Sequence, residues 1–235
     1  AYIYYGGASM NNAADITITG EATNNFWEIP VSSAGDVNGD GYSDVIAGAY
    51  GYSTSTGRAY IYFGGVSMNN AADVTMTGEA TGNSFGISVS SAGDVNGDGY
   101  PDVLVGAFGY SGSTGRVYLY DYQMRNEITQ DVTMTGETAN DYFGYSVSSA
   151  GDVNGDGYSD VIVGADGYST GTGRAYIYFG GASMNNAADV TITGETASNY
   201  FGYSVSSAGD INGDGYSDVI VGAFKYSSDI GRAYI

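Results

Sequence analysis

The chain has 235 residues, and 6 Lys and Arg against 26 Asp and Glu give it a formal net charge of −20. Because nucleic acids and anionic membrane surfaces are bound through clustered Lys and Arg, this charge excludes both as partners. The absence of Cys and His also excludes disulfides, thiolate nucleophiles, Cys/His zinc sites and imidazole bases.

The composition is that of a folded protein. Hydrophobic residues make up 43% of the chain, which also has 39 Gly and 24 Tyr, whereas acidic disordered chains have few aromatic residues. No stretch approaches the roughly 20 apolar residues of a membrane helix, so membrane insertion is not expected. No signal-peptide pattern opens the chain, and we expect any secretion signal to have been removed.

A repeat with a period of 58 residues runs through the chain. The acidic string Asp-Val/Ile-Asn-Gly-Asp-Gly-Tyr-Ser/Pro-Asp recurs at this step without drift, starting at Asp36, Asp94, Asp152 and Asp210. The repeat divides one domain, residues 1–235, into units 1–58, 59–116, 117–174 and 175–232, and residues 233–235 repeat residues 1–3. Such a period indicates one supersecondary unit in four copies.

Each unit predicts four short strands, which we name A to D. In chain order, residues 58–63 alternate Tyr with Ala, Ile and Phe as strand C, and residues 73–78 alternate Val and Met with Thr as strand D. Residues 85–93, rich in Ser, Ala and Gly, form strand A, and the apolar residues 102–107 form strand B. No segment has a helical period long enough for a helix. The fold class is therefore all-β, a β-propeller of four-stranded antiparallel blades.

The loop between strands A and B predicts a calcium site. Positions 1, 3, 5 and 9 carry Asp or Asn oxygens, and a backbone carbonyl at position 7 completes the six or seven oxygens that calcium prefers. Gly at positions 4 and 6 supplies the positive φ of a tight curl. We expect about four Ca²⁺ per chain, and strained or disordered loops in chelator because the carboxylates repel each other. The predicted ligands are Asp36, Asn38, Asp40, Tyr42, Asp44, Asp94, Asn96, Asp98, Tyr100, Asp102, Asp152, Asn154, Asp156, Tyr158, Asp160, Asp210, Asn212, Asp214, Tyr216 and Asp218.

Other interpretations of this loop fit less well. An EF-hand requires a bidentate Glu at position 12, where this chain has Ala or Val. A dockerin-like loop also needs an acid at that position, and thrombospondin-type repeats usually carry Cys. Asp-rich turns that bind no metal are the remaining alternative.

Residues on either side of the loop resemble the FG-GAP repeats of integrin α-subunit propellers. Phe-Gly pairs precede the loop at residues 85–86, 143–144 and 201–202, and Gly-Ala pairs follow it at residues 106–107, 164–165 and 222–223. The resemblance implies a propeller, which usually closes with seven blades, and partner binding on the face away from calcium.

Two units depart from the pattern. The first has Trp27 and Glu28 in place of Phe-Gly and Pro30 in strand A, which predicts an irregular strand or one exposed on one side. In the third, residues 121–130 replace the usual connection between strands C and D. Four repeats leave open a closed four-bladed ring, with residues 1–20 completing the last blade, a piece of a larger propeller, or chains joined end to end.

Strand order places the A–B and C–D loops on one face and the B–C and D–A loops on the other. Segments of the second face carry Tyr beside Ser, Thr and Gly, a composition suited to protein or sugar ligands. The alternative is that Tyr52, Tyr110, Tyr168 and Tyr226 only pack between blades. The candidate segments are 51–57, 109–115, 167–173 and 225–231, together with 21–26 and its equivalents.

Arg residues recur at the start of strand C and Glu residues at the end of strand D. Antiparallel pairing within one unit predicts an ion pair between Arg58 and Glu79. The corresponding predicted pairs are Arg116 with Glu137 and Arg174 with Glu195.

These features predict a non-catalytic, calcium-binding module for extracellular adhesion or ligand binding, secreted or at the cell surface, with an extracellular protein or carbohydrate as its partner. Extracellular calcium modules bind at about 10⁻⁴ to 10⁻³ M, which supports this location. The alternatives are a structural or filament-forming surface protein that assembles as a homo-oligomer through its chain ends, attachment to further blades, and a non-catalytic domain of a larger secreted enzyme. Enzyme activity is not expected, because no carboxylate pair stands apart from the loops within a unit.

Overall fold

The structure is a computed structural model that describes residues 1–8, 10–21, 30–123 and 127–235. In these ranges the regular structure is β-strand apart from four four-residue helical turns, whose two central residues have positive φ and are not α-helical. None of the described helical segments is long and apolar enough to cross a membrane. The segment with Trp27 and Glu28 lies outside the described residues, as does most of the candidate segment 21–26.

The strands form five antiparallel sheets that follow one another along the chain. The N-terminal sheet consists of β1 (Tyr2–Ile3) and β2 (Ile16–Thr17). Blade 1 consists of β3 (Val31–Gly35), β4 (Asp44–Ala49), β5 (Arg58–Tyr62) and β6 (Val74–Thr77). Blade 2 consists of β7 (Ser88–Gly93), β8 (Asp102–Ala107), β9 (Arg116–Gln123) and β10 (Glu127–Thr135). Blade 3 consists of β11 (Ser146–Gly151), β12 (Asp160–Ala165), β13 (Arg174–Tyr178) and β14 (Val190–Thr193). The C-terminal sheet consists of β15 (Phe201–Gly209), β16 (Asp218–Ala223) and β17 (Arg232–Tyr234).

Each complete blade has the predicted order of strands A, B, C and D, each paired with the next. The bounds predicted for strands C, D and B in residues 58–107 agree within one residue with β5, β6 and β8, and β7 begins three residues later than the predicted strand A. In blade 2, strands C and D are longer than this pattern. A helical turn follows strand B in each repeat. These turns are α1 (Tyr52–Ser55), α2 (Tyr110–Ser113), α3 (Tyr168–Gly171) and α4 (Tyr226–Asp229). The fold class is confirmed as an all-β propeller with antiparallel blades.

The core lies between neighbouring blades. All six residues of β8 and of β12 are buried, because these apolar strands are covered on both faces. The inner strands β3, β7, β11 and β15 lie side by side, and their Ser, Ala and Gly residues allow this close approach. Strand D is the most exposed strand of each complete blade, as predicted.

The first blade keeps a shortened strand A. Pro30 precedes β3, and its carbonyl still accepts the N–H of Gly48 at 2.9 Å. Val31, the first residue of β3, is exposed, in agreement with the predicted exposure of one side of the strand. At the other end of the chain, β16 pairs with β17, whereas β1 and β2 pair with each other. The strand C position beside β16 is therefore occupied by β17 and not by β1.

Candidate metal centre

The four acidic loops connect strand A to strand B in every repeat, on one face of the propeller. In each, position 9 is the first residue of strand B and follows a register shift at the end of strand A. The loop therefore leaves one strand and enters the next at fixed points. The twenty predicted ligand residues therefore lie in four equivalent loops. By position in the loop they are Asp36, Asp94, Asp152 and Asp210 (position 1), Asn38, Asn96, Asn154 and Asn212 (position 3), Asp40, Asp98, Asp156 and Asp214 (position 5), Tyr42, Tyr100, Tyr158 and Tyr216 (position 7), and Asp44, Asp102, Asp160 and Asp218 (position 9).

Hydrogen bonds within the loop turn its side-chain oxygens inward. In the first loop, the N–H groups of Asp40 and Gly41 donate to the two oxygens of Asp36 at 3.0 and 2.8 Å. The N–H of Tyr42 donates to Oδ1 of Asp40 at 2.9 Å. The other three loops repeat these bonds. The donors hold the Asp side chains on the inside of the curl, as a cation site requires.

In the three complete blades, the Asp at position 9 is the buried member of the loop. In blade 1, Oδ2 of Asp44 accepts the N–H of Val37 at 2.9 Å, and Oδ1 accepts the N–H of Gly64 at 2.7 Å. Burial raises the pKa of Asp44 above its ordinary value, and the negative charges of Asp40 and Asp36 raise it further, against the two hydrogen bonds. The pKa of Asp160 is raised for the same reasons, and burial raises the pKa of Asp102 to about 8. A bound cation would favour the ionised form of these carboxyl groups and would therefore lower their pKa values again.

Neighbouring loops pack on one another, a contact that the sequence did not predict. The ring of Tyr158, at position 7, covers Gly97, at position 4 of the preceding loop. A Cβ on Gly97 would clash with this ring, so the absence of a side chain is required there. The N–H of Ser159 also donates to the carbonyl of Asp94 at 2.9 Å. Position 7 is Tyr in all four loops, and this repetition was the feature of the sequence that could have indicated the packing.

The donor set fits a hard cation. The loop offers carboxylate, amide and backbone oxygens, with no nitrogen or sulfur ligand, which suits calcium. In the described residues, no three acidic side chains already stand close enough to hold a metal ion. The Asp oxygens accept backbone N–H groups, and each carboxylate keeps further lone pairs that could bind a cation. Asp36, Asp40 and Asp44 would hold the ion in the first loop, with Asn38 and the carbonyl of Tyr42.

The opposite face carries the helical turns between strands B and C. The guanidinium of each Arg that begins strand C lies over the Tyr ring of the preceding turn, with Arg116 Cζ 3.6 Å from the ring centroid of Tyr110. The same stacking joins Arg58 to Tyr52, Arg174 to Tyr168, and Arg232 to Tyr226. These Tyr side chains therefore have a structural role, by stacking on Arg within one repeat.

The predicted partners of the Arg residues were wrong. Arg116 pairs with Glu79 of the preceding blade, at 2.9 Å, and not with Glu137 of its own repeat. The other pairs are Arg58 with Glu21, Arg174 with Glu137, and Arg232 with Glu195. The end of strand D diverges from strand C of its own sheet and reaches strand C of the next one. Within its own blade, Arg116 donates only to Oγ1 of Thr135, among the described contacts.

The fold and these loops define a β-propeller whose repeated acidic loops share one face. Its four repeats match the FG-GAP repeat at residues 31–62, 85–120, 143–178 and 201–235, more than half of the chain. The chain therefore belongs to the FG-GAP repeat family.

Integrin α-subunits are among the relatives of this chain. Integrin alpha-6 of Gallus gallus is 38% identical over 163 residues, which are 66% of this chain and 15% of that protein. Integrin alpha-V of Gallus gallus is 33% identical over 205 residues, 82% of this chain and 19% of that protein. Integrin alpha-PS2 of Drosophila melanogaster is 33% identical over 218 residues, 83% of this chain and 15% of that protein. The chain thus spans less than a fifth of the length of these curated relatives.

Proposed function

We propose that this chain is a non-catalytic propeller module in which up to four Ca²⁺ ions stabilise the A–B loops, and that it binds an extracellular partner. The observation that carries the proposal is the fourfold repetition of one oxygen-lined loop with the same internal hydrogen bonds. Each loop carries three carboxylates within nine residues of sequence, and such a loop gains stability from a divalent cation. The metal's role is structural, because the loop residues supply a full oxygen shell.

The first experiment is a calorimetric calcium titration of chelator-stripped protein, with thermal unfolding followed in parallel. Binding of about four ions with a rise in melting temperature is expected. Asp156→Asn, in the third loop, is expected to weaken one binding event, whereas Asp131→Asn, an exposed residue of β10, is expected to leave all of them unchanged. A wild-type chain that binds no calcium would refute the proposal, and with it the extracellular assignment.

The proposed partner face is the one opposite the calcium loops. The integrin relatives support an adhesion or ligand-binding role, and the partner proposed is an extracellular protein or a carbohydrate. Tyr203 and Phe224 lie on this face with ring centroids 4.4 Å apart, and both are partly exposed. Glycan and matrix-protein arrays probed with the calcium-loaded chain test this role. Loss of a detected signal in Tyr203→Ala, with retention in Val66→Ala, an exposed residue of the C–D loop on the calcium face, would support this face.

The structural alternative, assembly of copies through their ends, makes a different prediction. Its support is the repetition of residues 1–3 by residues 233–235. A mass that rises with protein concentration in light scattering would favour this alternative, and a constant monomer mass would remove it. Turnover of any substrate in a hydrolase panel would contradict the non-catalytic role.

A further inference from the structure

The acidic loop of blade 2 faces a different neighbour from the loops of blades 1 and 3. The register that pairs Val103 with Tyr120 places Asp102, at position 9 of the loop, opposite Asp121 of β9. In blade 1 the same register places Phe63 opposite Asp44. In blade 3 it places Phe179 opposite Asp160. Blade 2 thus has a carboxylate where the other complete blades have an aromatic ring.

The backbone next to Asp121 also follows a different course. In blades 1 and 3, the N–H of the following Gly donates to Oδ1 of the position 9 Asp, at 2.7 Å from Gly64 and 2.8 Å from Gly180. In blade 2, strand β9 continues to Gln123 and pairs with β10, so no such turn forms. Oδ2 of Asp102 still accepts the N–H of Val95 at 2.9 Å, but Oδ1 has no hydrogen-bond partner among the described residues.

The two carboxyl groups are both shielded from water. Asp102 is 1% exposed and Asp121 is 8% exposed. Like charges directly opposite on paired strands are destabilising, and burial strengthens their repulsion. A cation at the loop would offset this repulsion.

We propose that Asp121 makes the blade 2 loop a distinct cation site, with four carboxylates in place of three, and that this loop binds Ca²⁺ more tightly than the other three. The inference rests on the proposed function. Affinity in oxygen-lined calcium loops rises with the number of charged ligands. The four carboxylates are those of Asp94, Asp98, Asp102 and Asp121. The unpartnered oxygen of Asp102 is the additional buried acceptor at this site.

The test is a calcium titration of the chelator-stripped chain by calorimetry. Asp121→Asn is nearly isosteric and is expected to weaken the tightest binding event roughly tenfold, with the remaining events unchanged. Asp121→Phe restores the residue type of blades 1 and 3 and is expected to weaken the same event. Asp131→Asn, which removes one charge from the same hairpin at an exposed position, is the matched control and is expected to change nothing.

Testing Asp121→Asn in a second variant shows whether its effect on calcium affinity belongs to the blade 2 loop. Asp94→Ala removes the first ligand of the blade 2 loop, and in that background Asp121→Asn is expected to have no effect on the three events that remain. Circular dichroism at saturating calcium confirms that each variant is folded. Wild-type binding with no change in Asp121→Asn and Asp121→Phe would overturn this inference while leaving the proposed function intact. Failure of the wild-type chain to bind calcium would overturn both.

Discussion

Arg116 of blade 2 and Glu79 of blade 1 form an ion pair across the boundary between the two blades, with Nη1 of Arg116 2.9 Å from Oε1 of Glu79. The same Oε1 accepts the hydroxyl of Tyr118, a buried residue of β9, at 2.9 Å. One carboxylate therefore joins two side chains of the next blade. The contact links consecutive blades at the face opposite the acidic loops.

Glu79→Ala is expected to lower the free energy of unfolding by about 1 to 2 kcal/mol, because it removes the ion pair and leaves the buried Tyr118 hydroxyl without its acceptor. Glu21→Ala is the matched control. Glu21 pairs with Arg58, but the hydroxyl of Tyr60 has no hydrogen-bond partner among the described residues, so about 0.2 to 1 kcal/mol is expected. Urea unfolding of both variants measures the difference, and equal losses would contradict the role assigned to Tyr118.

Gly97→Ala is expected to destabilise the chain more than Gly99→Ala. Both Gly have positive φ, +78° and +94°, so each Ala carries a backbone cost of about 1 kcal/mol. Only the Cβ at position 97 meets a neighbour, the Tyr158 ring, which adds about 1 to 3 kcal/mol. Melting temperatures measured in chelator report the loss of this packing without a contribution from metal binding. Adding Tyr158→Ala to Gly97→Ala should make the two substitutions non-additive, and strict additivity would rule out the contact.

Asp166 is expected to make stability depend on pH. Burial raises the pKa of this Asp to about 6, and its Oδ1 has no hydrogen-bond partner in the described part of the chain. Between pH about 4 and 6 the unfolded chain loses this proton while the folded chain keeps it, so the contribution of Asp166 to the free energy of unfolding falls as pH rises and is constant above that window. The other repeats have Tyr50, Phe108 and Phe224 at this position.

Asp166→Phe is expected to remove this contribution to the pH dependence and to raise the free energy of unfolding at pH 7 by about 1 to 3 kcal/mol. Asp131→Asn, at an exposed position, should leave the slope unchanged. The measurement is the urea midpoint of each variant from pH 4 to 8. A wild-type slope retained in Asp166→Phe would show that another group is responsible.

Tyr110→Leu is expected to lower the free energy of unfolding by about 0.5 to 1 kcal/mol, because it removes the ring beneath the Arg116 guanidinium. Tyr110→Phe keeps the ring and should stay within a few tenths of a kcal/mol of the wild type. The melting temperatures of the two variants give the comparison. If Leu is tolerated as well as Phe, the stacking contributes nothing and the Tyr is available for another role.

The strands and the acidic loops were predictable from the sequence because both depend on short segments. Alternating residues determine which face of strands C and D is buried, and Gly at positions 4 and 6 permits the curl of the loop. The 58-residue period then repeats the same local structure in every unit. For these reasons the propeller class and the arrangement of the two faces followed without coordinates.

The contacts between blades were decided by the tertiary structure. The partner of Arg116 is Glu79 and not Glu137, because the chain leaving strand D turns toward the next sheet, and a one-dimensional period cannot distinguish neighbours one unit apart. The packing of Tyr158 on Gly97 depends in the same way on how adjacent blades are inclined. The position of Asp121 opposite Asp102 required the strand register of an atypical hairpin, which repetition alone does not determine.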